Sequence, residues 1–212
     1  MVKLKKLGLG LAILSGLLLA GCEIRHINPE TGEVIIENQK EGFDATEYVN
    51  NIWKDRVIPT TRKEAAELSS LLEALDGNNL ETAKQYGLNE DNPPSDFLVK
   101  GTGTVANVDT TSRVGYLSVD MTEGPEIQLQ IGPVISGTAL RDALPFIKFD
   151  QFTNQLEYAA VSRAMHDHLM EKELNALNLS RLAGKEITFY GAMENEKNEI
   201  VITPVIIEIA GT

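Results

Sequence analysis

Residues 97–131, FLVKGTGTVANVDTTSRVGYLSVDMTEGPEIQLQI, decide the fold. Along them the apolar spacing changes from the helical 3.6 residues to the strand period of 2. Phe97, Val99, Gly101, Gly103 and Val105 alternate with Lys100, Thr102 and Thr104, which predicts a strand with one face on a core. Two inward positions are glycines, as a tightly coiled barrel strand requires. Gly115, Leu117, Val119 and Met121 predict a second strand, joined through the segment from Asn107 to Thr111. Ile127, Leu129 and Ile131 predict a third, joined through Glu123-Gly124-Pro125.

Towards the C-terminus, helical spacing returns between Thr138 and Leu144 and again from Asn154, which with Glu157 makes a capping pair. Leu156, Ala160, Ala164 and Leu169 predict that helix's buried stripe. After Gly184, Ile187 with Phe189 and then Ile200 to Ile209 predict two last strands. Inward parity passes from Ile200 and Ile202 to Val205, Ile207 and Ile209, so one extra residue at Thr203-Pro204 predicts a bulge on an edge strand. Three strands, a helical insertion over about 137–183 and two further strands are the order of a five-stranded OB-like β-barrel spanning 96–212. A generic α+β sandwich carries the same local signals; the class is α+β in either case.

Ahead of a boundary at Asn92-Pro93-Pro94-Ser95, residues 43–91 read as an N-terminal helical segment. Tyr48, Ile52 and Arg56-Val57 fall near one face of a first helix, with Trp53 beside it as an expected core anchor and Pro59 as its end. Ala65, Leu68, Leu71, Leu72 and Leu75 mark a second helix from Thr61, closed by Asp76-Gly77, and Leu80, Ala83 and Tyr86 a third. Residues 22–42 hold the turn cluster Asn28-Pro29-Glu30-Thr31-Gly32 and then Val34-Ile35-Ile36, and read as a flexible tether with at most a weak hairpin. Such a tether has a root-mean-square span of roughly 25 Å.

The first residues add a compartment. Lys3, Lys5 and Lys6 precede the 14-residue apolar run Leu7 to Ala20. That is the layout of a cleaved export signal over residues 1–21, and too short for a membrane span of about 20 residues. The run ends in Leu19-Ala20-Gly21-Cys22, which resembles the lipobox of bacterial lipoproteins and implies that Cys22 is acylated and becomes the mature N-terminus. Lipid chains at about 0.8 kcal/mol per buried methylene would hold the protein to a bilayer. Cys22 is the sole cysteine, so the folded part has no internal disulfide. Glu23 stands where an aspartate retains Gram-negative lipoproteins in the inner membrane, so sorting to the outer membrane is expected if the cell has one. With the leader's three lysines removed, 16 basic side chains face 31 acidic ones, a formal −15. Nucleic acid is excluded as a partner, because binding it depends on basic side chains that displace counterions.

Chemical motifs are few. Gly101-Thr102-Gly103-Thr104-Val105-Ala106 imitates a dinucleotide loop, but a β-period continues through Val105 and Val108 where a helix must open. His166 and His168 sit two apart in a helix and diverge by about 200°, so they share no metal ion, and no metal or cofactor is expected. Ser136 and Ser162 lack the strand-turn-helix setting of a nucleophile, and Glu123, Glu126, Asp142, Asp150 and Glu157 read as solvated surface. No catalytic residue is assigned. One dense polar set remains between the third and fourth barrel strands: Thr138, Arg141 and Asp142 with Asn154, Gln155 and Tyr158. Planar amides, a guanidinium and an aromatic ring grip sugar hydroxyls or a partner's backbone. The same groups also serve structure, with Arg141 paired to an acid and Asn154 capping a helix.

The stretch 131–146, IGPVISGTALRDALPF, followed by Phe149, Phe152-Thr153-Asn154-Gln155 and Glu157-Tyr158-Ala159, resembles the signature of the predicted periplasmic lipoproteins of domain-of-unknown-function family 2291. Phe43-Asp44-Ala45, Tyr48-Val49, Ile52-Trp53, Val99-Lys100-Gly101, Ser112-Arg113-Val114-Gly115 and Ile202-Thr203-Pro204-Val205 extend the resemblance over nearly all of the mature chain. It implies an OB-like lipoprotein whose genes often lie beside carbohydrate ABC-transporter genes, a context without a chemistry. The expectation is a non-catalytic binding or adaptor lipoprotein, anchored outside the cytoplasm through Cys22 and accessory to carbohydrate uptake through a protein partner. A direct receptor with a small carbohydrate held near Arg141, Asn154 and Tyr158 is the second reading, and a glycan hydrolase using an acid pair the third.

Overall fold

The computed structural model describes residues 26–27, 34–35, 42–76, 84–88, 94–195 and 199–211. The expected leader, Cys22, Glu23, most of the tether, the Asn92-Pro93 boundary and the start of the third short helix lie outside the described residues. The chain divides into two units, Met1–Phe43 and Asp44–Thr212. Within the first, β1 (His26–Ile27) pairs antiparallel with β2 (Val34–Ile35), the weak hairpin that the intervening turn residues predict.

The second unit is built on a closed barrel of β4 (Asp96–Asp109), β5 (Val114–Met121), β6 (Glu126–Pro133), β7 (Glu186–Glu194) and β8 (Val201–Ile209). β4, β5 and β6 form an antiparallel meander. β6 then meets β8 in parallel through Gln128↔Val201 and Leu129↔Ile202, and β8 runs antiparallel to β7. A nine-rung ladder from Asp96↔Glu194 to Thr104↔Glu186 joins β7 back to β4 and closes the ring. This cyclic order, with its parallel third-to-fifth pairing and helices inserted between the third and fourth strands, is the OB-like barrel rather than the α+β sandwich. Val99, Val105, Leu117, Leu129, Ile187, Phe189 and Ile202 fill its interior, each fully buried. A Cβ at Gly103 would collide with the Asp120 carbonyl oxygen, and one at Gly101 would meet Met121 and the Phe189 ring, so both strand glycines mark close approach within a narrow barrel.

Two strand predictions need correction. β4 does not give way to a loop at Asn107: a bulge between Val105 and Asn107 lets pairing continue to Asp109↔Tyr116. Asp109 then caps the turn, its carboxylate accepting from the Thr111 N–H and hydroxyl and from the Ser112 N–H; the Ser112 side chain first, and then these bonds, hold its pKa well below the usual carboxylate range. In β8 the register shifts between Tyr190↔Ile206 and Gly191↔Pro204, so the extra residue is Val205, just beyond the predicted Thr203-Pro204. Gly191 admits it, because a Cβ there would strike the Thr203 carbonyl oxygen. β8 is also not an edge along its whole length, since its first residues pair with β6; from Thr203 onward its ladder is to β7 alone.

The N-terminal helices differ from the pattern at two points. α1 (Ala45–Ile52) starts at Asp44, whose Oδ1 accepts from the N–H groups of Thr46 and Glu47 at 2.8 and 3.0 Å. Pro59 does not end it. A π-helical turn over Trp53–Val57 leads without a break into α2 (Ile58–Glu64), the Ile58 N–H reaching back to the Trp53 carbonyl, and Pro59 follows directly on that turn. The predicted second helix is broken at Ala66–Glu67, which forms β3 in parallel register with Val99 and Lys100, before α3 (Leu68–Asp76) begins. The β4 edge is open there, because β5 joins it only from Gly103, and pairing with that edge outweighs helix propensity. Residues 84–86 form a turn.

The insertion carries α4 (Ala139–Asp142), a 3₁₀ turn at Phe149–Gln151, α5 (Gln155–His168) and a π turn at Leu169–Leu174. Val161, Ala164, Met165 and Leu169 are buried on the core-facing side, whereas Leu156 is 64% exposed and Ala160 is half-buried. The predicted stripe therefore starts one turn too early: the first turn of α5 stands clear of the core. α1 packs along α5.

Candidate functional site

Arg141, Asp142 and Tyr158 come together as a lock between α4 and α5. The Arg141 Nε and Nη2 donate to the two carboxylate oxygens of its own neighbour, Asp142, at 2.7 and 2.9 Å, and Nη1 donates to the Tyr158 carbonyl at 3.1 Å. The Tyr158 hydroxyl donates to Asp142 Oδ1 at 2.8 Å, and the guanidinium lies over the Tyr158 ring, 3.6 Å from its centroid. Arg141 is 7% exposed. Burial alone would raise the Asp142 pKa, but hydrogen bonds from Arg141, Thr138 and Tyr158 outweigh it and lower the value. Burial and the neighbouring Asp142 carboxylate push the Tyr158 hydroxyl up to about 12.

The remaining residues of the predicted set are distributed around this lock. Thr138 precedes α4 and bonds Asp142. The Asn154 Oδ1 accepts from the N–H groups of Leu156 and Glu157 at 2.9 and 3.0 Å, as the capping reading expects. Glu157 turns back to the Thr153 N–H, one residue ahead of the cap it was paired with. Gln155 is exposed in the first turn of α5. All three guanidinium nitrogens thus donate within the insertion, and Asn154 holds a helix end. Asn154→Ala is expected to cost about 1 kcal/mol and to lower the melting temperature by about 2–4 °C, measured by circular dichroism.

Two buried networks had no local sequence signal. Gln130 bridges barrel and insertion: its Nε2 donates to Thr203 Oγ1 at 3.0 Å and to the Ser136 carbonyl at 3.2 Å, while its Oε1 accepts from the Ser136 N–H and hydroxyl. Trp53 donates from Nε1 to Glu173 Oε1 at 2.8 Å and stacks on His168, 4.4 Å between centroids. Partners 73 and 120 residues apart leave no short-range pattern to read.

Beyond the lock, the surface opens along β8. One shallow groove of about 520 Å³ is lined by Leu177, Thr188, Ile207, Glu208, Ile209 and Ala210. A smaller one of about 190 Å³ shares Leu177 and Ile207 and continues past Ile58, Arg62 and Leu174. Arg62 of α2, in the smaller groove, pairs with Glu208 of the larger at 2.8 Å. Among the described residues no group of three or more His, Cys, Asp and Glu side chains is placed to hold a metal ion.

The crystal structure of an OB-fold protein from Thermotoga maritima resembles the chain with a TM-score of 0.62 at 18% identity, over 80% of this chain and 99% of that one. An OBody bound to hen egg-white lysozyme aligns with a TM-score of 0.29 at 18% identity, over 55% of this chain and 79% of that one. The first likeness establishes the fold. No curated protein matches the chain. The family profile of a predicted periplasmic lipoprotein matches residues 12–208, from within the N-terminal apolar run almost to the end of the last barrel strand. With the folded unit and that span in register, the chain belongs to domain-of-unknown-function family 2291, the predicted periplasmic lipoproteins.

Proposed function

We propose that the protein is a non-catalytic adaptor lipoprotein, held at the membrane by acyl chains on Cys22, that serves a carbohydrate ABC transporter by binding one of its protein components. The observation that carries the adaptor reading is the groove along β8, where the strand is laddered on one side only from Thr203, is buried as far as Val205 and opens from Ile206 to Ile209 beside Leu177. An extended segment of a partner can add to such a strand while its side chains settle on the flanking apolar residues. The transporter context rests on the family resemblance. The direct-receptor reading is weaker, because Arg141, Tyr158 and Asn154 spend their hydrogen bonds inside the insertion, and a sugar would have to displace them.

Affinity purification of the lipidated protein from detergent-solubilised envelopes of the native host tests the reading. Recovery of a transporter component with the wild type, and its loss with Leu177→Glu at an unchanged melting temperature, is the expected result. Leu177 is half-buried in the turn after the π helix, so a carboxylate there alters the groove without entering the core. A wild-type preparation that brings down no transporter component overturns the proposal.

A further inference from the structure

We propose that the segment from Phe149 to Leu156 is a second membrane contact, laid on the zwitterionic phospholipid surface of the bilayer that holds the acylated Cys22. The inference rests on the anchored-lipoprotein reading above. Among the described residues, three large apolar side chains are exposed: Val134, Phe149 at 49% and Leu156 at 64%. Two of the three fall within eight consecutive residues. Leu156 stands in the first turn of α5 with most of its surface in solvent, and Phe149 in the 3₁₀ turn meets the Tyr158 ring edge-to-face while leaving about half of its surface to solvent.

The place where the chain enters the folded unit lies beside this segment. Only 22 positions separate Cys22 from Asp44, which caps α1. One turn into α1, Tyr48 meets the Phe152 ring edge-on at 5.7 Å, Phe152 meets Tyr158 at 5.5 Å, and Tyr158 meets Phe149 at 5.5 Å. The end of the domain that the anchor can draw down first is therefore the end that displays Phe149.

Charge selects the kind of surface. Asp44, Glu47 and Asp150 outnumber the exposed Lys148 around the segment, and the mature chain is formally −15, so anionic lipid repels it. The contact depends on apolar insertion into the headgroup layer, helped by the local anchor, and not on electrostatic attraction. Phe and Leu are among the side chains that interfacial segments bury at the headgroup boundary.

The test uses the full-length protein acylated in its own host, carrying Phe149→Cys or, separately, Leu156→Cys. The thiol of Cys22 is closed by its lipid, so a nitroxide reagent labels only the new cysteine. After reconstitution into phosphatidylcholine vesicles and flotation, paramagnetic broadening by oxygen, which concentrates in lipid, should exceed broadening by an aqueous nickel chelate at both positions. Vesicle-bound protein whose labels respond mainly to the nickel chelate overturns this inference and leaves the anchor standing. Protein that fails to float with vesicles overturns the anchor and the inference together.

Discussion

Arg141→Met is expected to destabilise the folded unit by about 3–5 kcal/mol, the range for breaking a buried ion pair by removing one partner, and to lower the melting temperature by roughly 6–20 °C. The large size follows from what is left behind. Asp142 loses both of its strong donors at once, and the Tyr158 carbonyl loses the Nη1 that satisfies it. The Arg141 side chain is 9% exposed and that of Asp142 21%, so water replaces the lost bonds poorly. Methionine fills much of the space, which separates loss of charge from loss of volume.

The lock also makes a pH signature. The Asp142 pKa is lowered in the folded state, so its contribution is present above the unfolded carboxylate value, near 3.9, and is lost as pH falls through the folded one. Tyr158 works at the other limit: with its hydroxyl pushed up to about 12, stability holds below the unfolded value near 10 and declines as pH rises from there towards the folded pKa. In Arg141→Met, burial acts on Asp142 with fewer donors opposing it, so the acid limb of the stability curve moves to higher pH. Thermal melts from pH 3 to 11 read both limbs. A variant melting within two degrees of wild type, with its acid limb unmoved, would show that the pair does not hold the insertion.

What could be read from the chain followed the range of the interactions involved. Strand order, the Asn154 cap and the glycines of β4 were legible because a period or a local geometry writes them into adjacent residues. The α2 boundary was not: Pro59 carries a stop signal, and it is the π turn ahead of it that lets the helix run on. Ala66–Glu67 looks helical by spacing, and only the open edge of β4 turns it into a strand. At the candidate site the sequence identified Arg141, Asp142 and Tyr158 as a group, but whether they face a ligand or one another depends on the α4–α5 packing, which no spacing encodes. The groove beside β8 has no signal in the sequence, because Leu177 and Ile207 line it together only after the barrel closes.

Trp53→Ala is expected to cost about 3–5 kcal/mol, as for other buried aromatic-to-alanine changes, and the loss should concentrate where α1 joins α5. Trp53 is 2% exposed, and its indole both donates to Glu173 and covers His168. Asn50 Oδ1 lies 2.9 Å from His168 Nδ1, so a proton assigned there leaves Nε2 unprotonated, 4.0 Å from the Glu173 oxygen that Trp53 already occupies. Burial lowers the His168 pKa, with Glu173 opposing in part. The folded value therefore lies below the unfolded one, near 6.5, and the neutral ring's contribution is present above the unfolded value and lost as pH falls through the folded one. Removing the indole exposes the imidazole, so an NMR titration of the His168 ring protons should move back towards the unfolded value. Trp53→Phe keeps a ring over His168 and removes only the indole donor from Glu173, whose side chain is 34% exposed and open to water, so it should cost less than Trp53→Ala and shift His168 less. If Trp53→Ala leaves the His168 titration where it was, the indole is not what shields it, and the clamp between the N-terminal helices and the insertion must rest on α1–α5 packing alone.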